Sequence, residues 1–154
     1  MKFTLELPIQ KSRTAVWHTF DNPENIKNWQ PTLVNFETIS GTQGQPGAIS
    51  RLTYAEGKRE FFLVEKVTFR AEPEQLDVVY ENDFADNSVK NTFIATSENE
   101  TLWTMEVEFK FKTRLMRIVG PFVKKNFIKR SEKDMTRFKE FVEKPSEEGQ
   151  QQDA

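Results

Sequence analysis

One imidazole and no thiol limit what chemistry this chain can do. His18 is the only histidine among 154 residues and there is no Cys, so thiol nucleophiles, Cys-ligated zinc and multi-His metal sites are excluded at the outset. As a general base His18 would have to face a cavity within hydrogen-bond reach of a partner. It follows Trp17 on a short helix that packs by its apolar side, and it reads as an ordinary surface or partly buried histidine. Oxygen chemistry remains. Two phenols, Tyr54 and Tyr80, and two carboxylates, Glu65 and Asp134, fall at positions whose phase points inward, where burial raises a carboxyl pKa and suits it to act as a general acid or to anchor a polar head group. The alternative for both carboxylates is a bulge or helix rotation that sends them to solvent or pairs them with Lys66, Arg51 or Arg130. No Asp/Glu spacing resembles a carboxylate metal site, so neither metal nor cofactor is expected.

Two further patterns invite a chemical reading. Gly41, Gly44 and Gly47 have the spacing of a phosphate loop, but a strand rather than a helix amino terminus follows them, which assigns them to turn geometry. Lys125, Lys129, Lys133 and Arg137 repeat at i, i+4 on one helix face, where like charges repel by roughly 0.2–0.5 kcal/mol per pair. Either water and nearby acidic groups offset that cost, or a peripheral anionic surface does. A nucleic-acid partner is not expected, because readers of nucleic acid join such stripes to exposed aromatics and a basic pI, whereas this chain's pI is about 5.6.

The elements that must position these groups are legible in order. With 36% hydrophobic and 30% charged residues, the chain describes one domain with one core. Residues 2–9 alternate as a strand. Ser12 caps a short helix through Phe20, and Asp21 or Asn22 caps a second with Pro23 in its first turn, stopped by Pro31. Six strands follow at 33–40, 48–55, 59–70, 75–81, 88–97 and 101–112, joined by short turns that make neighbours hairpin partners. In the last strand Trp103, Met105, Val107, Phe109 and Phe111 point one way and charged residues the other, so one face is buried. Over 59–70 the odd set, which includes Glu65 and Phe69, is taken as inward unless a bulge intervenes. A long helix spans 115–143, with Gly120-Pro121 predicting a kink or break.

Charge partitions along the chain. Residues 54–108 carry 5 basic and 13 acidic groups and residues 109–139 carry 11 and 2, so the two stretches should attract if the fold brings them together. Residues 144–154 are acidic and Gln-rich and read as an unstructured tail. With no long apolar run to span a membrane or serve as a signal, the location expected is cytoplasmic.

The aromatic content, 14 Phe, 3 Trp and 2 Tyr, concentrates on the inward faces. Tyr54, Phe69, Tyr80, Phe93 and Trp103 are expected to line the space between sheet and helix, together with Met105, Phe109, Phe127 and Met135. Asn91 and Ser131 add hydrogen-bonding groups. Gly120 and Ser131 opposite these large side chains leave gaps that close packing would otherwise fill, which predicts a pocket.

The run from Thr14 to Pro31, with Val16-Trp17, Phe20, Pro23-Glu24 and Trp29-Gln30-Pro31, resembles the opening of the START-like superfamily, also called SRPBCC or polyketide-cyclase-and-lipid-transport-like. The Gly41 to Gly47 turn and the Ala71-Glu72-Pro73-Glu74-Gln75-Leu76 hairpin also resemble it, and the likeness covers residues 1–143. The resemblance implies an α+β helix-grip fold, β-α-α-β6-α, in which a curved seven-stranded antiparallel sheet wraps around a long C-terminal helix. It also implies a cavity for a hydrophobic small molecule, a lipid or aromatic metabolite. Binding or carriage is the first functional reading. A small cyclase, aldolase or hydratase using the Tyr or carboxylate groups is the alternative, and an interaction or membrane-association module working through the basic helix is the third.

Overall fold

A computed structural model describes residues 1–145; the predicted tail beyond them lies outside the described residues. β1 (Lys2–Ile9) leads into helix α1 (Arg13–Asp21) and a 3-10 helix (Pro23–Asn28). Six strands follow, β2 (Leu33–Ser40), β3 (Ile49–Glu56), β4 (Arg59–Ala71), β5 (Gln75–Glu81), β6 (Ala85–Ser97) and β7 (Glu100–Phe111), and then helix α2 (Arg114–Glu143). The strands form one antiparallel sheet in the order β1-β7-β6-β5-β4-β3-β2. Consecutive hairpins run from β2 to β7, and β1 adds outside β7, pairing Lys2 with Glu108 and Ile9 with Thr101. This is the α+β helix-grip architecture that the element order predicts.

Local chemistry explains the boundaries. Ser12 accepts a hydrogen bond from the Ala15 amide, Asn22 from Glu24 and Thr113 from Met116, each satisfying a donor orphaned at a helix start. Gly41 closes the β2–β3 turn at φ +76°, and a Cβ there would meet the Ala48 backbone at 2.9 Å, so both the backbone angle and the close approach require glycine.

The main core lies at one end of the sheet. Trp17, Phe93, Trp103 and Phe138 are each at most 2% exposed. Trp29 meets Phe138 edge to face at 4.9 Å, Trp103 meets Phe138 at 5.1 Å, and Phe20 reaches Phe93 at 5.0 Å. Each such pair adds about 0.5–1.5 kcal/mol beyond burial of area. The cluster clamps α1 and the second half of α2 onto β6 and β7. A separate aliphatic cluster of Val67, Val78, Val89 and Val107 covers the middle of the sheet, and Leu33, Leu52 and Tyr54 form a third at the other edge.

Two expectations about α2 are corrected, a break at Pro121 and a gap at Gly120. The helix continues through Pro121 instead of breaking there; this proline lacks the N–H that would have bonded to the Arg117 carbonyl, and the helix tolerates that one loss. Nor does Gly120 leave a gap. The Phe111 ring occupies the space where a Cβ would stand, so the glycine admits an aromatic from the end of β7.

Candidate functional site

Between the concave face of the sheet and α2 lies a cavity of about 1590 Å³, larger than the roughly 300–1,000 Å³ typical of small-molecule sites. β3 to β7 form its floor and wall, α2 its roof, and Trp29 and Phe20 its packed end. Its mouth opens between the β3–β4 hairpin, the β5–β6 turn and the middle of α2, where Phe84 stands 60% exposed. An ion pair crosses this mouth, Arg130 Nη2 to Glu56 Oε1 at 2.6 Å. With Lys112–Asp86, it realises part of the predicted attraction between the acidic strands and the basic segment.

Most residues singled out in the sequence line this space. Tyr54, Tyr80, Asn91 and Trp103 do so from the sheet, as do Met105 and Phe109. Phe127 and Ser131 do so from α2, with Phe127 against Phe109 at 4.7 Å. Asn91 is 4% exposed and accepts a hydrogen bond from the Trp103 indole, Nε1 to Oδ1 at 3.0 Å, so that polar side chain holds the ring in place. Three predicted lining residues stand elsewhere. Phe93 and Met135, 1% and 2% exposed, belong to the aromatic core, because α1 and the 3-10 helix pack over that end of the sheet. Phe69 points outward and is 45% exposed.

The reason for Phe69 is a bulge. Val67 pairs with Val78 and Phe69 with Asp77, leaving Thr68 as an extra residue on β4. The insertion reverses the side-chain phase beyond it. Leu63, Glu65 and Val67 therefore face inward as the odd phase predicts, and after the bulge Arg70 turns inward in place of Phe69. Arg70 then reaches Asp21 at the end of α1, lies over the Trp17 ring at 5.1 Å and donates to the Gly44 carbonyl at 3.1 Å.

The cavity floor carries a polar row. Glu65, Tyr80 and Asn87 occupy consecutive cross-strand positions on β4, β5 and β6, and the buried Ser50 pairs with Glu65 from β3 outside the lining. Burial pushes the Glu65 carboxyl up to about 6, partly offset by hydrogen bonding with Tyr80. Burial, reinforced by the Glu65 charge, pushes the Tyr80 phenol well above its ordinary value. Tyr54 is raised for the same two reasons; it donates to Gln30 Oε1 at 2.8 Å and stacks on Phe61. On the roof, burial raises Asp134 to about 6 even though Arg130 and Arg137 favour its charged form; Arg137 donates to Asp134 at 3.2 Å. The Asn87 Oδ1 atom is buried without a hydrogen-bond partner among the described residues. In a site of low dielectric such an acceptor is costly unless a ligand satisfies it.

Sequence reading does not single out Asn87 or Gln30; it turns Phe61 inward without naming it as lining, and names Arg130 only as a partner for the carboxylates. Asn87 lies outside the predicted start of β6 at 88, so no alternation covered it. Phe61 was available in the odd phase of β4. Gln30 and Arg130 are reached only through tertiary placement. His18 is exposed, and among the described residues no group of three or more His, Asp or Glu is placed to hold a metal ion.

No protein-family model matches the chain, and no curated protein matches it by sequence. Solved structures do match. A START superfamily protein from Mycobacterium smegmatis superposes with a TM-score of 0.76 at 16% identity, covering 92% of this chain and 97% of that one. The Zhui aromatase/cyclase from Streptomyces sp. R1128 gives 0.74 at 10% identity, covering 93% of each. Norcoclaurine synthase from Thalictrum flavum, in complex with dopamine and hydroxybenzaldehyde, gives 0.69 at 15% identity, covering 95% and 89%. The chain thus has the START-like helix-grip fold.

Proposed function

We propose that this helix-grip protein binds and carries a hydrophobic small molecule, a lipid or aromatic metabolite, with a hydrogen-bonding group at one end. The cavity between sheet and α2 carries the reading: its volume holds a whole ligand, and its wall is chiefly aromatic and aliphatic. The polar row gives the ligand an orientation. Asn87 Oδ1 accepts a hydroxyl or amine hydrogen, while Glu65 and Tyr80 lie on the neighbouring strands. Met105 lets the wall adapt to ligand shape. That the Thalictrum enzyme holds two small aromatics is consistent with the reading and does not identify a ligand, since at 15% identity it supports the frame alone.

Native mass spectrometry with organic extraction of the purified protein tests it. A defined hydrophobe should co-purify, and Ser131→Phe, which places a ring into the cavity, should lower its occupancy at least about ten-fold while leaving the fold intact. If no hydrophobe is recovered and no hydrophobic probe binds competitively, carriage is wrong.

A second reading has one specific observation behind it. A carboxyl with a pKa near 6 beside a phenol, inside a ligand-sized cavity, is an acid–base pair of the kind a cyclase, aldolase or hydratase needs. Conversion of the extracted compound by the wild type and not by Glu65→Gln would support it. Recovery of the compound unchanged from both would support carriage.

A further inference from the structure

The first turns of α2 leave large apolar side chains in water. Leu115 and Ile118 are each 68% exposed and Phe122 is 82% exposed. At 100° per residue the three fall within an arc of about 60°, well away from Met116, Gly120, Val123 and Phe127, which face the sheet. The same arc continues along the helix through Lys125, Lys129 and Lys133. All three lysines are exposed, and among the described residues none has a salt bridge, nor do Arg114 and Arg117 on the first turn. No salt bridge among the described residues offsets the i, i+4 repulsion along this stripe.

Apolar side chains in line with unpaired cations suit one kind of surface. A protein-interface core is depleted in lysine, and a symmetric pairing of this face with a second copy would bring two strongly basic segments together. An anionic bilayer satisfies both halves at once: leucine, isoleucine and phenylalanine enter the boundary between head groups and acyl chains while lysines meet lipid phosphates. Position agrees. Lys129 lines the cavity mouth along with the exposed Phe84, so a membrane against this face lies beside the opening. No helix among the described residues is long and apolar enough to cross a membrane, which makes the contact peripheral.

We infer that the amino-terminal half of α2 docks the protein on an anionic lipid surface, with Leu115, Ile118 and Phe122 inserted and Lys125, Lys129 and Lys133 on the phosphates. The inference goes beyond ligand binding and holds whether or not the cavity is filled.

Vesicle flotation with the full chain tests it, using equal parts phosphatidylcholine and phosphatidylglycerol against phosphatidylcholine alone. The protein should float with the anionic vesicles and at least about ten-fold less with the neutral ones. Ile118→Ser/Phe122→Ser and Lys125→Glu/Lys129→Glu should each lower binding about ten-fold or more, with unchanged circular dichroism and melting. Because the two variants alter separate exposed positions, either one alone suffices if the other fails to fold. Three results overturn the inference: no binding to anionic vesicles; binding that survives loss of Ile118 and Phe122, which indicates adsorption to any polyanion or acidic partner; or a wild-type dimer that Phe122→Ser converts to monomer, which means a second copy covers the face.

Discussion

The Arg70 guanidinium holds the Asp21 carboxylate at two points, Nη1 to Oδ1 at 2.6 Å and Nη2 to Oδ2 at 2.7 Å. The contact fastens the end of α1 to β4, and it exists only because the bulge at Thr68 turns Arg70 inward. With side-chain exposures of 11% and 27%, the pair is largely shielded and its planar geometry is specific to arginine.

Arg70→Ala should therefore lower stability by about 2 kcal/mol, since it leaves Asp21 partly buried without its partner. In urea unfolding this appears as a lower midpoint with unchanged slope. Arg70→Lys should recover little of the loss, because an ammonium cannot make the two-point contact. A loss below about 0.5 kcal/mol, the range of ordinary surface changes, would show that the bridge contributes nothing.

Glu65 and Asp134 give the fold a particular pH dependence. Their carboxyls rise from ordinary values of 4.5 and 3.8 to about 6, so the folded protein binds these protons more tightly than the unfolded chain does. Their contribution is complete below about pH 4 and is lost as pH rises through about 6. Glu65→Gln should make the protein more stable than wild type at pH 7 by about 2 kcal/mol and no more stable at pH 4. Chemical denaturation at both pH values checks this. An equal effect of the substitution at pH 4 and pH 7 would place the Glu65 carboxyl in solvent.

The Phe111 ring and Gly120 should behave as one unit. Alanine is a better helix former than glycine by about 1 kcal/mol, yet a Cβ at 120 collides with the ring. Gly120→Ala should thus fail to stabilise the wild type and should stabilise a Phe111→Ala background by about 1 kcal/mol. A double-mutant cycle from thermal or urea unfolding measures the difference, and zero coupling would mean that the ring moves aside at no cost.

The sequence carried the order of elements and most of the inward phases because alternation is strong where one face is wet. β7 places Trp103, Met105 and Phe109 on the cavity side in unbroken register, and Leu76, Val78 and Tyr80 behave likewise on β5. Legibility ended where phase or placement depends on non-local geometry. Nothing local to Thr68 announces a bulge, since the odd phase of residues 59–70 stays apolar through Val67 and Phe69 on either side of it. Phe93 and Trp103 are cross-strand neighbours with the same sequence signal, and only where α1 lands decides that one is sealed in the core while the other also borders the cavity. Gly120 read as a gap because its occupant comes from another element.

The strand order bears on how the chain assembles. From β2 to β7 every pairing is between neighbours in sequence, so this meander can form hairpin by hairpin with short loops to close. β1 pairs only with β7, Lys2 opposite Glu108, a contact across more than a hundred residues, and it draws α1 and the 3-10 helix across the end of the sheet. Loop-closure entropy makes such a contact costly until the meander is in place to receive it. Synthesis from the amino terminus thus releases β1 long before its partner exists, and the cavity acquires its end wall and its roof only after the last strand has emerged.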